Sequence, residues 1–283
     1  MSAVTTPTSS TTDAASAGSP DEPLLEVEHL TLSFKGLRAL HDVSIAVRPG
    51  ELLAVIGPNG AGKSSLFNCI SGVYHPEAGT VRLAGRTIDG LRPHERTALG
   101  IARTFQELAL FEHQTVLDNL MTGSNVSMRH HSLVDMLRLG PSLRQELSGR
   151  ETVEEVIAFL DLAHVRHHPV GALPYGWRKR VVLGRALCSD PRVLLLDEPV
   201  AGMNQEETED LARYMLDLKE QRGLTQVLVE HNLSVVLDIA DRIVVLNFGE
   251  VIADGTPDEV AADPQVQAAY LGDQHVPSQG PTT

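Results

Sequence analysis

The sequence predicts an α/β fold around a parallel sheet, on three observations. An apolar run, Leu52 to Ile56, leads through a glycine-rich segment into a helical run, Ser64 to Ile70. A second apolar run, Val193 to Leu196, ends in two carboxylates, Asp197 and Glu198. Beyond it, strand-like and helix-like segments alternate. Continuous apolar strands suit a sheet covered on both faces, and strand–helix alternation makes neighbouring strands parallel.

Taken in order, residues 1–23 are mostly Ser, Thr, Ala, Pro and Gly with three acids. They lack the basic and apolar regions of a secretory signal and bury too little to offset their ordering entropy, so a disordered tail is expected. The folded unit is expected over 24–272, with a flexible tail over 273–283. Leu25 to Val47 favours strands, with alternation at Leu30, Leu32 and Phe34. Gly50 precedes the strand Leu52 to Ile56. His75 to Gly79 reads as a turn, Thr80 to Ala84 as a strand, and Pro93 to Leu99 as a short helix closed by Gly100. From Thr115 to Ala163 the pattern is helical. Thr115 and Asp118 stand at capping-box spacing, and Val153, Val156, Ile157 and Leu160 recur at the helical period. After Val193 the reading is helix over Gln205 to Gln221, strand over Gln226 to Val229, helix over Ser234 to Ile239 and strand over Arg242 to Leu246. No internal repeat is apparent.

Composition sets limits. At 283 residues the chain is about twice the usual domain length, and 42% apolar content supports a sizeable core. A formal charge of −14 gives no basic field for nucleic acid. The Arg178-Lys179-Arg180 cluster is read as a solvated helix face. Cys69 and Cys188 lie in apolar helical contexts without C-x-x-C spacing, as reduced core thiols of a cytosolic protein. No apolar stretch approaches the ~18 residues of a membrane span, so another polypeptide must supply one if the chain works at a membrane. A metal reading of His130, His131, His164, His167 and His168 finds no ligand geometry in the sequence.

The chemistry sits in two segments. Gly57-Pro58-Asn59-Gly60-Ala61-Gly62-Lys63-Ser64 fits G-x-x-x-x-G-K-[ST] between a strand and a helix. Its glycines let successive backbone N–H groups point into one cavity, and the helix adds its positive N-terminal end. Lys63 is placed to reach the β- and γ-phosphates, and the Ser64 hydroxyl to take a position on Mg²⁺. The spacing is not G-x-G-x-x-G, which disfavours a dinucleotide site. Ligands of open α/β sheets bind beyond the carboxyl ends of strands, so Asp197 is placed to hold Mg²⁺ through water and Glu198 to act on an attacking water.

Between and after these segments come Thr104-Phe105-Gln106, Leu173-Pro174-Tyr175-Gly176-Trp177, Asp197-Glu198-Pro199 and Glu230-His231-Asn232. This order resembles the nucleotide-binding subunit of ABC transporters over nearly the whole folded region. The Ala201-Gly202-Met203-Asn204 run, the Leu-Pro-Tyr-Gly segment and the ending from Gly255-Thr256-Pro257 to Ala269-Tyr270-Leu271-Gly272 resemble the Liv type, the ATPases of branched-chain and neutral amino-acid importers. The resemblance implies an ABC ATPase core of the P-loop NTPase class: a mixed sheet with helices, an antiparallel β subdomain, and a helical subdomain inserted at about 107–190.

It also implies roles. Phe34 would stack on adenine; the alternative is a core aromatic of its strand. Gln106 would touch Mg²⁺ and the attacking water, and His231 would hydrogen-bond the γ-phosphate. Together with Gly57 to Ser64, Ser65 is expected to contact ATP. In this family the signature segment caps the ATP of the opposite subunit, which assigns Pro174, Tyr175, Gly176 and Trp177 to a site in trans. The usual signature is Leu-Ser-Gly-Gly-Gln. Here Pro174, Tyr175 and Trp177 replace three of its residues, a hydroxyl donor is lost, and slow turnover at the site so capped is expected.

Chains of this kind work as homo- or heterodimers closing over two ATP molecules, with Mg²⁺, on transmembrane permease subunits that meet a solute-binding protein. The implied location is cytoplasmic, peripheral on the inner face of the cell membrane. Leu108, Leu110 and Phe111 are candidates for permease contact, or else for packing of the insertion. Competing readings are an exporter ATPase of the lipopolysaccharide type and a soluble ABC protein without a transport role. The latter usually carries two phosphate loops, and this chain has one.

Overall fold

The computed structural model describes residues 22–105, 108–128 and 141–273. The expected disordered tail, up to residue 21, and the flexible tail from 274 lie outside the described residues, as do Gln106, His130 and His131. The chain starts with β1 (Leu25–Phe34), β2 (Leu37–Val47), β3 (Leu52–Ile56), α1 (Lys63–Ile70), β4 (Ala78–Leu83), β5 (Arg86–Thr87), α2 (Pro93–Ala98) and β6 (Ile101–Arg103). Three helices follow, α3 (Val116–Met128), α4 (Pro141–Phe159) and α5 (Tyr175–Leu187). The remainder is β7 (Val193–Asp197), α6 (Gln205–Arg222), β8 (Thr225–Val229), α7 (Leu233–Ile239), β9 (Arg242–Asn247), β10 (Glu250–Gly255), α8 (Pro257–Ala262) and α9 (Pro264–Asp273).

Two sheets result. The alternating pattern of β1 and β2 buries one side of each strand, and they pair antiparallel through Lys35 and Gly36, both at positive φ (48° and 88°). With β4 and β5 they form an antiparallel sheet in the order β2-β1-β4-β5. The second sheet runs β10-β9-β3-β8-β7-β6. Its strands from β9 to β6 are parallel, and β10 is antiparallel at the edge. Helix alternation alone suggested a wholly parallel sheet. The departure comes from the Phe248-Gly249 turn, where both residues have positive φ (45° and 81°) and the chain reverses without a helix.

The apolar runs are buried on both faces because they serve two cores. Leu52, Ala54 and Ile56 of β3 face the helices of the insertion, together with α6 and α7. Leu53 and Val55 face α1 and the antiparallel sheet. In α4, Val153, Val156 and Ile157 are buried, and Leu160 just beyond joins them against α5. Thr115 and Asp118 form the expected cap: the Asp118 N–H donates to Thr115 Oγ1 at 3.1 Å and the Thr115 N–H to Asp118 Oδ2 at 3.2 Å. Helices α8 and α9 and strand β10 were not read as elements from sequence. They are short, and α8 is marked mainly by its Thr256–Glu259 capping box.

The basic cluster is a correction. Lys179 and Arg180 are buried rather than solvated. Their charges are met locally: Arg180 donates to Asp210 Oδ2 at 2.5 Å and to the Tyr214 hydroxyl at 3.2 Å, and Lys179 Nζ donates to the Glu198 carbonyl at 3.1 Å. Arg178 donates to the carbonyls of Leu173 (2.8 Å) and Gly171 (2.6 Å). Because α5 packs against α3 and α4 as well as β6, a polar face there is turned inward.

Among the described residues no helix is long and apolar enough to cross a membrane. Both thiols are buried, which pushes Cys69 up to about 11 and Cys188 up to about 12. Native protein at pH 8 is therefore expected to leave both unreacted with Ellman's reagent, and urea-unfolded protein to titrate both. Rapid reaction of either thiol in the native chain would contradict this packing.

Candidate functional site

The glycine-rich loop leaves β3 through close backbone approaches. A Cβ at Gly57 would lie 2.0 Å from the Leu246 carbonyl oxygen of β9, and one at Gly62 would lie 2.6 Å from the Ala39 oxygen of β2. Both glycines have positive φ, 148° and 107°. Among the described residues nothing stands within 4 Å of where a Cβ would sit at Gly60, so the loop faces open space there. Lys63 is only 5% exposed, and its Nζ donates to the carbonyls of Gly57 at 2.7 Å and Pro58 at 2.9 Å. The N-terminal turn of α1 holds no acid. An anion there meets the positive end of the helix without a competing side chain.

Two other segments brace this loop. The Gly249 N–H donates to the Ala61 carbonyl at 3.0 Å, and the His41 N–H donates to the Gly249 carbonyl at 2.8 Å. Tyr270 of α9 accepts from the Gly57 N–H; burial nonetheless pushes its phenol up to about 12.

A cleft of about 300 Å³ opens over the loop. Asn59, Gly60, Ala61, Gly62, Lys63, Ser64 and Ser65 line one side, and Glu198 and His231 reach it from the sheet. Leu37, Arg38, Ala39 and Phe248 form the rest of its lining. Strands β3, β8 and β7 end at one level, since Val55 pairs with Val229 and Val229 with Asp197. The register thus brings the two carboxylates to the carboxyl edge from which the loop springs.

Glu198 follows directly with φ 47°, its N–H bonded to the Val229 carbonyl at 2.9 Å. His231 Nε2 lies 3.1 Å from Glu198 Oε1. Beneath them Glu230 accepts from the N–H groups of Val200 (2.9 Å) and His231 (3.1 Å), and burial raises its carboxyl above the usual value. Asp197 is paired with Arg103 at 2.7 Å.

The remaining expected residues fall elsewhere. Phe34 is at the end of β1, 42% exposed, with its ring edge-on to Tyr74 at 5.1 Å. Exposure excludes the core reading, but the residue is not part of the cleft lining described above. The aromatic that is part of it, Phe248, is 85% exposed and escaped the sequence reading. Its only signal is the Phe-Gly pair after an apolar strand, common to many turns. Pro58 lies in the loop as a backbone acceptor.

The signature segment lies apart from the cleft of its own chain. Pro174 is the N-cap of α5 (φ −53°, ψ 157°), one position before the first turn expected for it. The Tyr175 hydroxyl donates to the Ala201 carbonyl at 3.2 Å. A Cβ at Gly176 would lie 2.4 Å from Glu207 Oε1, an atom of the side chain whose other oxygen accepts from the Asn204 N–H. Trp177 packs against the core, with Arg180 over its ring at 4.4 Å and His164 edge-on at 4.7 Å.

Known proteins agree with this geometry. The family described as ABC transporter matches residues 40–201, and that of branched-chain amino acid ATP-binding cassette transporters matches residues 250–276. The chain belongs to the ABC transporter family and is an ATP-hydrolysing subunit of its kind. It is 37% identical over 251 residues to the high-affinity branched-chain amino acid transport ATP-binding protein BraF of Pseudomonas aeruginosa, covering 89% of this chain and 98% of the relative. It is 35% identical over 255 residues to LivG of Escherichia coli, likewise a high-affinity branched-chain amino acid transport ATP-binding protein, covering 89% and 99%. The lipopolysaccharide export ATP-binding protein LptB of Haemophilus influenzae is 34% identical over 251 residues, covering 89% and 98%. A nucleotide-free ATP-binding cassette from an ABC transporter superposes with a TM-score of 0.77 at 33% identity, covering 88% of this chain and 98% of that one.

Gly62→Ala should destabilise the fold by about 2–4 kcal/mol, through a strained φ and a backbone clash, and weaken nucleotide binding with it. Urea unfolding and equilibrium nucleotide titration measure the two effects. A variant as stable as the parent would show that Ala39 can move away at little cost.

Proposed function

We propose that this chain energises an importer of branched-chain or other neutral amino acids by binding and hydrolysing Mg·ATP in the cleft over Gly57 to Ser65. The observation that carries the reading is the phosphate loop facing the Glu198–His231 pair across one cleft. The amino-acid assignment draws on BraF and LivG and on the carboxyl-terminal match, residues 250–276. The likeness to LptB keeps export as the second reading.

The residues divide the work physically. Lys63 already sits at the centre of the loop on two carbonyls and would exchange them for phosphate oxygens. Backbone N–H groups of Gly60 to Ser65 would hold the phosphates, and Phe34 or Phe248 would give the adenine an aromatic face. The donors proposed for Mg²⁺, Ser64, Asp197 and Gln106, are all oxygens, which is what that ion prefers. When bound it would offset charge on the phosphates. Glu198 would take the proton of the attacking water while His231, 3.1 Å from it, would hold the γ-phosphate side.

One phosphate loop and one signature per chain require a second ABC ATPase subunit, the same or related, facing it. Tyr175, Gly176 and Trp177 would then offer the N-terminal backbone of α5 to the partner's ATP. Pro174 supplies no N–H, and the Trp177 ring is held in its own chain. Permease subunits would dock from the membrane, on the cytoplasmic face, against the insertion expected over about 107–190. Leu110 packs on the core, whereas Phe111 stays exposed and Phe105 lines a cavity of about 320 Å³ with Thr122, Val182 and Arg185. A solute-binding protein would deliver the amino acid to the permease.

Glu198→Gln should retain ATP binding, accumulate a closed dimer visible by size-exclusion chromatography, and lose about 10²–10⁴ in turnover. Phosphate release near the parent rate would assign the water to another residue. Lys63→Ala should weaken ATP binding itself in a direct titration; an unaltered dissociation constant would count against the loop. Uptake of radiolabelled leucine by cells with and without the Glu198 variant tests the transport reading, and unaffected uptake would remove it.

A further inference from the structure

Strand β6 ends at Arg103, directly before Thr104 and Phe105. The Arg103 guanidinium is buried and serves three elements at once. One nitrogen donates to Asp197 Oδ2 at 2.7 Å. The other donates to Asn68 Oδ1 at 2.7 Å and Ser71 Oγ at 3.1 Å, both at the end of α1. Its central carbon, Cζ, lies 5.6 Å from the centre of the Phe67 ring and 5.1 Å from that of Phe105. Thr104 adds a link: its Oγ1 hydroxyl donates to the Leu195 carbonyl at 3.5 Å and accepts from the Asp197 N–H at 3.3 Å.

Stability alone does not account for such a pair. Buried ion pairs are often no better than well-packed apolar residues of the same volume. A planar fork on three acceptors, by contrast, fixes geometry in a way that a lysine cannot. We propose that Arg103 is a positioning residue that orients the Asp197 carboxylate for the divalent cation accompanying the nucleotide and fastens it to the segment entering Gln106. The proposal rests on the Mg·ATP reading of the cleft. By taking Oδ2, the guanidinium stops rotation of the carboxylate. By bonding α1, it joins Asp197 to the helix that carries Ser64, so both proposed oxygen donors belong to one hydrogen-bonded unit. The loop's hydrogen bonds described above run to its own carbonyls, to Gly249 and to Tyr270 rather than to Arg103. Loss of the fork should therefore alter how the site uses a cation and leave nucleotide binding without a cation as it was.

The test uses the full chain carrying Glu198→Gln, so that nothing turns over. Binding of a fluorescent ATP analogue is measured in EDTA and then as Mn²⁺ is added, with bound Mn²⁺ counted by its paramagnetic resonance. Outer-shell partners of metal ligands are worth about 10–100-fold in metal affinity, so Arg103→Met should raise the half-saturating Mn²⁺ by about tenfold or more. Affinity in EDTA should match the parent. Arg103→Lys, which keeps the charge without the fork, should show a smaller rise and carries the test if the Met variant does not fold. With Asp197→Asn already present, neither substitution should shift the cation requirement further. An equal or lower Mn²⁺ requirement overturns the proposal, as does a shift that persists undiminished beside Asp197→Asn. If the parent binds no nucleotide with or without Mn²⁺, the underlying reading fails, and the proposal with it.

Discussion

The site depends on the contact between Gly57 and the carbonyl of Leu246. No side chain fits there, so the loop leaves β3 pressed against β9, and everything that follows is placed by that departure. The β9–β10 turn can then bond Ala61 through Gly249, and Gly62 can start α1 against Ala39 of β2. Three elements distant in sequence thus fix one backbone curl. Such a cradle binds phosphate through oriented dipoles that are paid for on folding rather than on binding, so little reorganisation remains when the ligand arrives.

A second layer of order comes from charges kept inside. Arg103, Lys179, Arg180, Asp197 and Glu230 are all buried or nearly so. Each meets a specific partner: a carboxylate, a guanidinium, a main-chain carbonyl, or backbone N–H groups. A solitary buried charge would be far more costly than any of these pairs. The network runs beneath the carboxyl edge of the sheet and connects the end of β7 with α1, α5 and the segment after Glu198. Its members hold main chain as often as side chain, and so they set positions that apolar packing would leave adjustable.

How much was legible in the sequence follows from how local each signal is. The loop, the strand before it and the Asp197–Glu198 pair were readable because motif and element coincide within a few residues. The capping box at Thr115 and the apolar face of α4 were readable for the same reason. The basic cluster was misread, since 178–180 contains no trace of Asp210, Tyr214 or the Glu198 carbonyl that neutralise it. Phe248 was missed because its importance arises from a turn that folds back over a loop almost 200 positions earlier. Phe34 was singled out by resemblance. Its ring is solvent-facing beside Tyr74, as a base-stacking residue could be, though the described cleft is bounded by its neighbours from Leu37 to Ala39.

The signature segment shows how a divergent motif can keep its mechanical connections. Side chains of the segment and of the α5 turn after it bond within their own subunit: Trp177 lies under Arg180, the Tyr175 hydroxyl reaches the Ala201 carbonyl, and Lys179 reaches the Glu198 carbonyl. Two of these contacts end on the segment from Glu198 to Ala201, directly beyond the proposed catalytic carboxylate. On the proposed face-to-face arrangement, the start of α5 would touch the partner's nucleotide while its underside holds the main chain at Glu198 and Ala201. A displacement of α5 on closing over one ATP would be transmitted to the other site through main-chain hydrogen bonds. Serine and glutamine at the usual positions are not needed for that grip. On that arrangement the substitutions at 174, 175 and 177 would bear on how strongly the partner's phosphate is capped, and Tyr175 and Lys179 would carry the link between the two sites.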